Sequence, residues 1–170
     1  MYDDEILDIV DEDDTVIGQA SRSDIYRLGK SNFRVINAFL RNDRGQLWIP
    51  RRTATKRLFP LCLDVSIGGH VQSGETYEQA FKREAKEELL LDIDSVAWRQ
   101  LGHLSPYDSG VSAFMRGYEI RMNELTQYNR QDFMEGFWFK PAEILEMANR
   151  GEPMKDDLPR LIRIFYAARI

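Results

Sequence analysis

Three carboxylates in this chain sit where carboxylates are costly. Residues 76–91 are rich in Ala, Glu, Lys and Leu, with Ser73 and Thr76 as possible caps, and read as a helix. With Glu84 set at 0° and about 100° per residue, Glu87 falls near −60° and Glu88 near +40°. Tyr77, Ala80, Phe81 and Leu91 share that stripe, while Glu78, Gln79, Lys82, Arg83 and Lys86 take the opposite side. The solvated face is therefore identifiable, and the three glutamates are not on it. Carboxylates turned toward the interior repel each other and lose hydration. A hard divalent cation compensates with oxygen ligands, and Mg²⁺ typically combines a few carboxylates with water and substrate phosphates.

The approach to the helix supports the same chemistry. Gly68-Gly69-His70-Val71-Gln72-Ser73-Gly74-Glu75 precedes it. The glycines let a tight loop bring backbone close to a ligand, and Glu75 adds a carboxylate near the helix start. Residues 41–57 hold Arg41, Arg44, Arg51, Arg52, Lys56 and Arg57 against Asp43 alone, a local charge of +5. Arg grips phosphate oxygens bidentately and Lys supplies a point charge, so this segment suits an anionic substrate, although a solvated hairpin has the same look.

The positioning elements are mostly strands. Ile6–Val10 and Thr15–Ile17 flank Asp11–Asp14, which predicts a hairpin at about residues 5–20. Val35–Leu40 and Gln46–Ile49 flank a turn at Asn42–Gly45. Leu61–Ile67 is an apolar run ended by Gly68-Gly69. Val96–Gly102, Val111–Ile120 and Gly136–Lys140 read as strands, and Pro141–Asn149 and Leu158–Ala168 as helices. Pro141 suits a first helical turn and Gly151 the residue past an end. The expected class is α+β, a mixed central sheet with helices on its faces.

Composition bounds the rest. The 170 residues fit one domain, residues 1–170, at 43% apolar and 30% charged. No apolar run reaches the roughly 18 residues of a membrane helix. The acidic start is unlike a signal or transit peptide, and the single cysteine, Cys62, fits a reducing cytosol. The formal charge of −5 argues against a nucleic-acid polymer as partner. Eight acids lie in residues 1–14, leaving residues 15–170 at +3 (20 acids, 23 bases).

Gly69, Glu75, Arg83, Glu84, Glu87 and Glu88, with the spacing Gly-x5-Glu-x7-Arg-Glu-x-x-Glu-Glu, resemble the Nudix box. Leu90 departs from it where the family has Gly, and Ala85 is small for an aliphatic position; a later or different helix end is expected from Leu90. The resemblance implies a Nudix-like α/β/α sandwich and Mg²⁺- or Mn²⁺-dependent attack of water on a small organic diphosphate. It implies Glu84, Glu87, Glu88 and the Gly69 carbonyl at the metal, and Arg52 and Lys56 on the diphosphate. Glu75 would brace the site and Arg83 pair with a box carboxylate. Glu135, just ahead of an expected strand, is the candidate general base outside the box, and residues 104–135 would carry much of the substrate choice. A homodimer is the commonest oligomer for such a chain.

Gly18, Arg22, Arg51-Arg52, Lys56, Phe59-Pro60 and Gly68–Val71 further resemble the isopentenyl-diphosphate-isomerase-like branch over about residues 5–92. Isomerisation is the rival reaction. The isomerases need a cysteine immediately before the Gly-His pair, and here Gly68 stands there, while Cys62 reads as packing. A nucleotide-binding module without turnover is the third reading. His70 and His103 lack zinc-ligand spacing with Cys62. Trp48, Trp98 and Trp138 read as core or sheet-face residues.

Overall fold

Strand β3 (Arg34–Arg41) is the axis of the molecule. Its side chains alternate between two buried surfaces, as a strand covered on both faces requires. The computed structural model describes residues 4–167. Before β3 come β1 (Ile6–Val10), β2 (Val16–Ser21) and a short helix α1 (Arg22–Arg27). After it come β4 (Leu47–Arg52), β5 (Ile67–His70), α2 (Tyr77–Leu89), β6 (Trp98–Leu104), β7 (Phe114–Arg121), β8 (Phe133–Phe139), α3 (Pro141–Asn149) and α4 (Asp157–Tyr166).

The main sheet runs β6-β7-β3-β4-β8, with β5 also paired to β3. The β3–β7 pair is parallel and the others are antiparallel, so the sheet is mixed. On one face Ile36, Ala38, Leu40 and Tyr118 pack against Tyr77, Ala80, Phe81, Ala85 and Leu89 of α2. On the other, Phe39, Leu47, Ile49 and Met115 pack against Ile144 of α3 and Leu158, Leu161, Ile162 and Tyr166 of α4. This is the α+β sandwich that the order of elements implied. No helix among the described residues is long and apolar enough to cross a membrane.

β1 and β2 form a separate antiparallel pair with a bulge between Ile9 and Val10. Its turn is built by Asp11, whose carboxylate accepts from the Asp13 and Thr15 amides at 2.9 Å each. Leu7 and Ile9 pack on Ile25, Phe33 and Ala113, which seats the hairpin beside the start of β3.

Two local readings change. The glycines do not end the run before them: Gly68 and Gly69 lie inside β5, opposite Asn37 and Ile36 of β3. The preceding stretch is irregular, with Phe59 and Leu61 at positive φ and Leu63 bridging Arg51 and Met154. β8 begins at Phe133 rather than Gly136, which places Glu135 within a strand.

Candidate active site

Helix α2 starts on a full capping box. The Thr76 hydroxyl accepts from the Gln79 amide (3.1 Å), and the Gln79 side chain accepts from the Thr76 amide (2.9 Å). The loop before it is tied to the N-terminal hairpin. Ser73 donates to Asp8 (2.7 Å), the Gly74 amide donates to the same carboxylate (3.3 Å), and the Ser73 amide donates to the Ile6 carbonyl (2.8 Å). Tyr77 donates to Asp14 (2.6 Å), which also pairs with Arg34 (2.6 Å) and His103 (2.9 Å). Acids that read as hairpin charge are thus braces for the loop and first turn of α2.

The helix ends at Leu90, in the left-handed conformation at φ 55°, ψ 34°. The change from glycine therefore does not move the helix end, contrary to expectation; Leu90 takes the strained geometry that glycine adopts freely. Its side chain is half exposed. Leu90→Gly is expected to raise unfolding stability by about 1 kcal/mol, read from a urea midpoint.

Arg83 organises the box. Its guanidinium donates to Glu75 through Nε (2.7 Å) and Nη2 (3.0 Å), to Glu84 (2.7 Å) and to the His70 carbonyl (3.0 Å), with Glu87 at 3.5 Å. Glu75 also accepts from the Gln72 amide at 3.0 Å. One cation thereby fixes the loop, β5 and α2 together.

The glutamates differ in depth. Glu84 is buried at 8% exposure, Glu88 is half-buried, and the Glu87 side chain is 58% exposed at the rim. Burial pushes the Glu84 carboxyl up to about 7 against the pull of Arg83, with the charges of Glu87 and Glu5 adding to the rise. Glu88 is held well above the usual carboxylate range, first by burial, then by Glu84, Asp64 and Asp132, with Lys155 opposing. Its side chain receives one long bond, from the Gly68 amide at 3.4 Å. A Cβ on Gly69 would lie 2.2 Å from the Glu84 carboxyl, so this strand can pass the helix only as glycine. Among the described residues, no three Asp, Glu, His or Cys side chains already converge on one point as ligands would. The donor set is nevertheless all oxygen, backed by buried carboxylates short of positive charge, which suits a hard divalent cation.

The other expected site residues divide. Arg52 pairs with Asp64 (2.8 Å) and Lys56 with Asp132. Those acids are two of the three that press on Glu88, so both cations belong to the same end of α2. Asp64, 3% exposed, and Asp132 carry no motif and lie in irregular segments, which hid them from pattern reading.

Glu135 is not brought to the cluster. It lies opposite Arg51 and pairs with it at 2.8 Å. The register skips Met134, so Phe133 faces the α2 side while Glu135 shares the α3–α4 side with Phe137 and Phe139. That geometry sets Glu135, expected as a base, on the opposite face of the sheet from the α2 carboxylates. The His70 ring contacts Tyr26 (2.8 Å) and Glu5 (3.4 Å). Cys62 is half-buried rather than buried.

The Glu5–His70 contact makes stability depend on acid. The hydrogen bond from His70 leads in holding the Glu5 carboxyl at about 2, against an ordinary 4.5. Stability from this pairing is complete above about 4.5 and is lost as pH falls from there toward 2. Burial also lowers the His70 pKa against the pull of Glu5, which adds to acid sensitivity from the ordinary value of 6.5 downward. Glu5→Gln is expected to flatten the loss of melting temperature between pH 5 and about 3. An unchanged slope would remove Glu5 from the account.

The NUDIX domain family model matches residues 32–158. An uncharacterized Nudix hydrolase of Nostoc sp. is 59% identical over 167 residues, covering 98% of this chain and 99% of the relative. A Nudix hydrolase of Deinococcus radiodurans is 50% identical over 163 residues, covering 96% and 95%. The crystal structure of DR0079 from Deinococcus radiodurans superposes with a TM-score of 0.90 at 50% identity, covering 95% of this chain and 99% of that one. These relatives support the family as a whole and lend nothing to the narrower isomerase-like likeness.

Proposed function

This chain belongs to the Nudix hydrolase family, and we propose that it is a divalent-cation-dependent pyrophosphohydrolase cleaving a small organic diphosphate by water attack. The observation that carries the reading is the pair Glu84 and Glu88, withdrawn from water at the end of α2 beside a strand that only Gly69 lets approach.

Glu84, Glu87, Glu88 and the Gly69 carbonyl would hold Mg²⁺ or Mn²⁺. When bound, such a cation neutralises diphosphate oxygens and makes water a better nucleophile. Arg52 and Lys56 draw the substrate phosphates to this end of the sheet, since Coulomb attraction is strong beside half-buried groups. Arg83 and Glu75 fix the backbone and carboxylates, so that little reorganisation accompanies reaction. The water's proton passes to a carboxylate of the same cluster rather than to Glu135.

Isomerisation is disfavoured by Gly68, which offers no group to give or take a proton at carbon. The reading of a binding module without turnover leaned on Leu90, and a helix ending in the left-handed geometry at that residue removes its support. The test is a panel of nucleoside, sugar and isoprenoid diphosphates and dinucleotides, followed by ³¹P and ¹H NMR with Mg²⁺. Release of phosphate or a monophosphate from at least one member is expected. Double-bond migration in isopentenyl diphosphate without phosphate release, or silence across the panel, would overturn the proposal.

A further inference from the structure

We propose that Lys155 is a substrate-phosphate contact of this site, reaching it across the space left open by Gly68. The proposal rests on the hydrolase reading above and adds a residue from the far side of the sheet.

Lys155 belongs to the α3–α4 connection, remote in sequence from the box, yet its backbone is stitched to the segment entering β5. The Leu63 amide donates to the Pro153 carbonyl (3.0 Å), and the Lys155 amide donates to the Leu63 carbonyl (2.8 Å). Leu63 and Met154 bridge in parallel between these bonds. The Leu158 amide donates to the Lys155 carbonyl (3.0 Å), so the first turn of α4 fixes the lysine from the other side.

From that anchor the side chain runs toward Gly68. A Cβ at position 68 would lie 3.7 Å from Nζ, and 3.1 Å from both Asn37 Oδ1 and Val65 Cγ2. The Gly68 amide is the group that reaches Glu88. A Cβ at 68 would press on Asn37 and Val65, with the ammonium at ordinary contact distance beyond them, so glycine both removes the isomerase-type side chain and keeps this side of β5 clear beside the cation.

The ammonium is only loosely engaged. Its nearest carboxylate is Asp64 at 3.9 Å, beyond hydrogen-bond distance. Asp64 is already occupied by Arg52 at 2.8 Å and by the Val65 amide at 2.7 Å. Arg52 and Lys56 are each bound to an acid, whereas the Lys155 donors meet no acceptor among the described residues. The side chain is 31% exposed, and its charge is felt at Glu88, His70 and Tyr26. An ammonium with open donors beside a carboxylate cluster suits a phosphate oxygen, for which lysine is a point-charge ligand.

The rival role is a counter-ion for Asp64 with no substrate contact. Lys155→Ala, Lys155→Gln and Lys155→Arg separate the two. Steady-state kinetics would use whichever diphosphate the panel identifies, and calorimetry with Mg²⁺ would use methylenediphosphonate, which is not hydrolysed. The Ala and Gln variants are expected to raise KM and weaken methylenediphosphonate by about 10-fold or more, with melting temperature little changed and most of the loss restored by Arg. A parent that turns over substrate while Lys155→Ala keeps its KM and its methylenediphosphonate affinity would overturn this proposal alone. A lowered melting temperature with unchanged KM would assign Lys155 to Asp64 and overturn it equally. A parent that neither binds nor hydrolyses would overturn the hydrolase reading, and this proposal with it.

Discussion

Glu88→Gln is expected to cut turnover of a diphosphate substrate by about 10³-fold, a loss of about 4 kcal/mol in transition-state stabilisation. The exchange preserves shape and keeps an oxygen to accept from the Gly68 amide. It removes a negative charge where burial, Glu84, Asp64 and Asp132 all resist one. A residue serving only the fold would gain from that relief. Metal-free Glu88→Gln protein should therefore be at least as stable as the parent at pH 8, while losing activity and any stabilisation by Mg²⁺. Thermal unfolding with and without Mg²⁺, beside the activity assay, gives both halves. Full activity would remove Glu88 from the mechanism. The same exchange at Glu87 asks whether its exposed carboxylate is also needed.

Gly69→Ala should disrupt both the fold and the site. Its Cβ would fall 2.2 Å from the Glu84 carboxyl and 2.7 Å from Cγ of the same residue. Glu84 has little freedom to withdraw, because Arg83 holds its carboxylate at 2.7 Å and is itself fixed by Glu75 and the His70 carbonyl. Either β5 separates from α2 or the Arg83 network breaks. A loss of about 1–3 kcal/mol in unfolding stability is expected from such overpacking, together with activity below a tenth of the parent's. Denaturant unfolding and the diphosphate assay measure these. An alanine variant with parental stability and turnover would mean that the Gly69–Glu84 approach is not needed.

The segment around α2 was the most legible part of the sequence, for physical reasons. Periodicity separated a solvated face from an inward one, and the spacing of Glu84, Glu87 and Glu88 is tied to helix geometry. α3 was readable from Pro141 through Asn149 because proline marks a helix start so strongly. The six residues of α1 are too few to display a period. Strand edges were less legible than strands: β8 starts three residues before Gly136, and a bulge at Met134 turns Glu135 to the face of the sheet opposite α2.

Two other features depend on contacts distant along the chain. Local pattern made Asp8 and Asp14 part of the hairpin's charge, yet they brace Ser73, Gly74 and Tyr77, more than sixty residues on. Lys155 had no signal at all, since only folding brings the α3–α4 connection against Gly68. Leu90 shows the converse: a motif position can depart in residue type while the chain keeps the backbone conformation the motif requires.

If the inward carboxylates of α2 form a site for a hard divalent cation, electron paramagnetic resonance of Mn²⁺ titrated into substrate-free protein at pH 8 will register it. The parent should sequester Mn²⁺ stoichiometrically at micromolar protein, and Glu84→Gln/Glu88→Gln should leave the ion free in solution while still folding. Equal sequestration by both proteins would contradict the account.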